Sequence, residues 1–123
     1  MNLDKLVNDW RRTVRHMPKI DNSVTEQLCA AMSEYLPFAI RQVDAVIEVK
    51  GAEWALETFY RASELIAQRD PAAFKTTKPD ELRTLGGMFL HMARADADVS
   101  VAFRRLYATE RKRARVVAMA GGE

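Results

Sequence analysis

The chain has one cysteine, two histidines, four prolines and five glycines in 123 residues, and no long uninterrupted apolar run. Each scarcity excludes something. A lone Cys29 cannot close an internal disulfide. Set in an apolar run without partner residues nearby, it reads as a small buried side chain in a reducing compartment rather than a nucleophile or metal ligand. His16 and His91 stand far apart, and neither has a carboxylate or second histidine at the helical spacing of a metal site. No phosphate-loop lysine motif, nucleophile elbow or Cys-x-x-Cys pair occurs, so a non-enzyme without metal, cofactor or small-molecule substrate is expected. No segment approaches the roughly 18 apolar residues of a membrane span. The first ten residues, which include Asp4, Asn8, Asp9 and Trp10, lack the apolar core of a secretory signal, so a cytoplasmic protein without a membrane partner is expected.

What is present is a foldable composition. Hydrophobic residues make up 48% and charged residues 29%, enough for one core in a single domain over residues 1–123. The net charge is only +2, but its distribution is uneven. Arg11, Arg12, Arg15 and Lys19 crowd one segment, and Arg104, Arg105, Arg111, Lys112, Arg113 and Arg115 face the single acid Glu110 in another. Acids collect between them, at Asp44, Glu48, Glu53, Glu57 and Glu64, so the molecule is expected to be polarised.

Apolar spacing is helical throughout, without strand patterns or repeats, and predicts an all-α fold: a compact bundle of about five helices. Leu3, Leu6, Val7, Trp10, Val14 and Met17 form a first stripe that Pro18 stops, best read as a helix capping the core. Asn22 or Ser23 caps a second helix, with Glu26 completing a capping box and Val24, Leu28, Ala31 and Tyr35 as its stripe. Pro37 predicts either a kink or two helices meeting there. Ile40, Val43 and Ile47 continue to a Gly51 C-cap, and residues 52–68 form a helix around Ala55, Phe59, Ala62 and Ile66. A long connection over 69–85, with room for one helical turn from Pro79, precedes the Gly86-Gly87 helix start. A last helix, capped by Asp96 or Asp98, runs through Val99, Phe103, Leu106, Tyr107, Glu110, Ala114 and Val117.

The most informative run is Arg83-Thr84-Leu85-Gly86-Gly87-Met88-Phe89-Leu90-His91-Met92-Ala93-Arg94. Two glycines opening a helix leave backbone N–H groups uncovered at the positive end of the helix dipole, where a phosphate can approach, with Arg83, Thr84 and Arg94 as further donors. The plainer reading is that the pair permits a tight turn or a close helix crossing. This run resembles the signature of the RNA-binding domain of the phosphorylated adapter RNA export protein family, Arg-Thr-Pro-Gly-Gly-Val-Phe-Leu-Asn-Leu-Leu-Lys. Arg83, Thr84, Gly86, Gly87, Phe89 and Leu90 match it, Arg94 stands at its lysine, and Leu85 and His91 replace its proline and asparagine. The similarity covers roughly residues 46–115, from the helix with Ala55, Leu56, Glu57 and Ala62 to Phe103, Leu106, Tyr107, Glu110 and the basic tail. Residues 1–45 would complete the bundle.

The resemblance implies a helical domain that binds single-stranded RNA with little sequence preference through a positive groove near the glycine pair. Nothing corresponds to that family's regions for export factors. Charge placement agrees: Arg104, Arg111 and Arg115 fall on about one face of the last helix, Lys75, Lys78 and Arg83 can close from the other side, and Tyr107 or His91 can stack on a base. The competing readings are a solvated basic face paired with the acidic 52–68 helix, and a helical protein-binding regulator marked by an exposed apolar patch away from Gly86. A helix-turn-helix reading lacks its short turn and base-reading helix.

Overall fold

The computed structural model describes residues 2–14, 16–68 and 84–121. Among them are six helices and no strand: α1 (Leu3–Thr13), α2 (Ser23–Ala31), α3 (Pro37–Lys50), α4 (Ala52–Gln68), α5 (Leu85–Arg94) and α6 (Ala97–Gly121). The expected connection over 69–85 lies outside the described residues except for its last two, Thr84 and Leu85.

The sixth helix comes from Pro37. Proline cannot continue a helix but suits its first turn, where the missing N–H has no partner to lose. Leu36 is extended (φ −79°, ψ 126°), its carbonyl accepts the Ile40 N–H at 3.0 Å, and α3 starts afresh on Pro37. The α2 stripe accordingly ends at Ala31, and Tyr35 is exposed in the connection rather than buried in a helix. Asn22 is the α2 cap, its side chain accepting the Val24 N–H at 3.0 Å. Glu26 turns instead to the guanidinium of Arg11 on α1.

α1 ends at Thr13, earlier than its apolar stripe suggests, because the Pro18 ring would clash with the Val14 carbonyl if the helix continued. Val14 is extended, and Leu3 and Met17, at the two ends of the stripe, are exposed. Trp10 is buried, and its indole Nε1–H donates to the Glu34 carbonyl, which ties α1 to the α2–α3 connection.

One apolar cluster draws on all six helices, with Trp10, Leu28, Ile40, Ala55, Phe89 and Phe103 among its members. Cys29 is fully buried within it, and burial first, then Glu34, Asp44 and Glu26, push its thiol pKa up, so it stays protonated. Gly51 joins α3 to α4 at φ +90°, a backbone conformation that side chains disfavour. Asp96 is the α6 cap, its Oδ1 accepting from Asp98 N at 2.9 Å and Val99 N at 3.2 Å.

α3 lies against α2, α4 and α6, while α5 packs on α4 and α6. Contacts at both ends set α3 antiparallel to α6. Lys50 Nζ meets Asp96 Oδ2 at 3.0 Å at one end; at the other, the Phe38 and Tyr107 rings lie 4.9 Å apart and Arg41 pairs with Glu110. The second end also holds the first turn of α5, and there the candidate surface begins.

Candidate nucleic-acid surface

Thr84 is the N-cap of α5, with φ −74° and ψ 169°, and its hydroxyl accepts the Gly87 N–H at 3.0 Å. The two glycines therefore sit inside the first helical turn rather than ahead of it. Gly86 is buried, and a side chain there would meet Glu34: a Cβ would stand 2.6 Å from Glu34 Oε2. Glu34 is half-buried, and burial raises its pKa against the opposing effect of hydrogen bonds from the Leu36 and Tyr35 backbone. The missing side chain at Gly86 thus makes room for a carboxylate beside the helix start. An acid there is favourable to the helix dipole and unfavourable to an approaching phosphate. The plainer reading of the pair, close packing, describes Gly86.

The other predicted residues divide. Lys75, Lys78 and Arg83 lie outside the described residues. His91 and Arg94 are exposed, but Arg94 ends α5, about 12 Å along the helix from Gly86 at 1.5 Å per residue. Arg104, Tyr107, Arg111 and Arg115 are brought together on α6. Its buried stripe is Val99 and Phe103, followed by half-buried Leu106 and Glu110; beyond Glu110 every side chain through Val116 is exposed.

Charge on this stretch is nearly all of one sign. Glu110 is taken by Arg41, with Arg113 at 3.9 Å on the same oxygen. Arg104, Arg105, Arg111, Lys112 and Arg115 have no ion pair among the described residues. Nor do Glu53, Glu57 and Glu64, because α4 packs on α3 and α5. The alternative of basic α6 arginines neutralised by α4 within one molecule is therefore not what the described residues do. Tyr107 is 46% exposed and tilted 55° against Phe38, so one part of its ring is held while the rest meets solvent. Its neighbours are Arg104 three residues before and Arg111 four residues after, on adjoining turns.

Sequence reasoning missed Phe38 and Arg41, which anchor α6 from the first turn of α3. Both follow the Pro37 break, and Arg41 meets Glu110 across 69 residues, a pairing no local spacing signals. Among the described residues, no cluster of three His, Cys, Asp or Glu could hold a metal, and no helix is long and apolar enough to cross a membrane. Compared with family models, curated proteins and solved structures, the chain matches none. The functional reading therefore stands on the Arg83–Arg94 run and on the surface just described.

Proposed function

We propose that this helical protein binds single-stranded RNA with little sequence preference, through the basic face of α6 rather than through Gly86. The observation that carries the reading is the set of five exposed cations without ion-pair partners among the described residues, Arg104, Arg105, Arg111, Lys112 and Arg115, on a helix that runs beyond the buried core. Arg111 and Arg115 repel each other one turn apart, an unfavourable arrangement in an isolated helix that bound phosphates relieve. Tyr107 supplies a π-face between Arg104 and Arg111, the combination by which unpaired bases are held without sequence readout. A duplex hides its base faces and would use the cations alone.

The test is fluorescence anisotropy of a labelled single strand of about 20 RNA nucleotides, beside duplex RNA and single-stranded DNA, at two salt concentrations. Engagement of three or four phosphates gives a log–log salt slope of about −2 to −3, at roughly −0.7 per phosphate. Tightest binding to single-stranded RNA with such a slope supports the reading; no binding at low salt removes it. A second reading, contact with another protein, is favoured by one observation: Leu56 and Tyr60 are exposed one turn apart on α4, with Tyr60 at 65%.

A further inference from the structure

We propose that the basic face of α6 beyond Tyr107 docks on the acidic face of α4 of a second copy of this chain. On α4, Glu53, Glu57, Tyr60 and Glu64 follow helical spacing along one exposed stripe, with exposed Leu56 beside it. Glu53 and Glu57 are one turn apart and repel, with no ion-pair partner among the described residues. On α6, Arg111 and Arg115 are likewise one turn apart, with Lys112 and exposed Val116 on the adjoining side and the small Ala108 about one turn before them. Both pairs are spaced by about 6 Å along their helices, so the two like-charge pairs match each other in register and oppose in sign.

Each face lacks what the other provides. The acids rim an aromatic and a leucine that the described residues leave exposed, and the cations, whose long methylene stems can lie over such a surface, stand beside a valine. Among the described residues the two faces do not meet: α6 is a continuous helix antiparallel to α3, it carries Arg111–Arg115 past the α3 N-terminus, and α4 lies against α3 and α5. A second copy brings both surfaces at once, so one two-fold arrangement makes the contact twice. RNA and the second copy then compete for the same cations, although the docking itself does not depend on RNA binding.

Sedimentation velocity of nucleic-acid-free protein from about 5 to 200 µM, at low and high salt, reads the contact directly. The expected result is a concentration-dependent dimer at low salt that dissociates at high salt. E53K/E57K and R111E/R115E each weaken it by at least about tenfold, and mixing the two variants restores it, since their reversed faces again oppose in sign. All four positions are exposed, and circular dichroism checks that each variant is folded. A wild-type chain that stays monomeric throughout, a dimer indifferent to both reversals, or a loss that mixing does not restore overturns the proposal. Anisotropy on E53K/E57K separates this from the RNA reading, because that variant keeps every α6 cation.

Discussion

The first turn of α5 and the far half of α6 both carry anion-seeking sequence, and they differ in what surrounds them. At α5 the Gly87 N–H is taken by Thr84, and the space beside Gly86 is taken by Glu34. At α6 one acid, Glu110, is shared between Arg41 and Arg113, and the other cations face solvent. A helix start with one N–H already capped and a carboxylate beside it has less to offer an anion, whereas a row of like charges without counter-charges is stabilised by any polyanion that reaches it. The glycine pair is the more conspicuous motif, but the charge row has the unmet electrostatic demand.

The sharpest break in this comparison is R111E/R115E, which replaces two attractive contacts with two repulsive ones. RNA affinity at low salt should fall about a hundredfold, with the salt slope shallower by roughly 1.4, as anisotropy at several salt concentrations will show. Tyr107→Ala should cost about 1–3 kcal/mol of binding to single strands and much less to duplex, measured in the same titration. Thr84→Ala acts on the other region: losing the cap should lower stability by about 1 kcal/mol in urea unfolding while leaving RNA affinity unchanged.

Smaller still is the pH response of Glu34. Because burial raises its pKa, the folded state holds the proton more tightly than the unfolded chain. Its contribution is thus most favourable below the ordinary carboxylate range and is lost as pH rises through the raised value. Glu34→Gln should therefore gain stability relative to wild type at neutral pH, with the gain shrinking in acid, as paired unfolding curves will reveal. Asp96 provides the opposite sign: the Lys50 hydrogen bond, then the Val99 N–H, hold its pKa down, so its contribution is present at neutral pH and lost on acidification.

Where local chemistry decides, the sequence was readable. Gly51 marked the α3–α4 junction, the helix from Ala52 to Gln68 has the bounds its apolar spacing indicated, and an Asp cap before Val99 proved to be Asp96. Pro37 was ambiguous because a proline kinks a helix interior as readily as it opens a new first turn; the extended Leu36 resolves it. The apolar spacing of the last helix was expected to continue to Ala114 and Val117, but the structure ends its buried side at Glu110 and leaves Ala114 exposed with Arg111 and Arg115. What no spacing could show was distance across the fold: Glu34 over Gly86, Phe38 against Tyr107, Arg41 on Glu110. Those three contacts move the candidate surface from the glycine pair to α6.

Gly86→Ala beside R111E/R115E tests that shift most directly, with single-stranded RNA affinity measured on both. An added methyl at Gly86 displaces only the flexible end of Glu34, and alanine's helix preference offsets part of the cost, so stability should change by less than about 1 kcal/mol. Gly86→Ala is expected to leave RNA affinity within about twofold of wild type while R111E/R115E abolishes most of it. A folded Gly86→Ala protein that loses RNA, with R111E/R115E still binding, would contradict it and return the phosphate site to the start of α5.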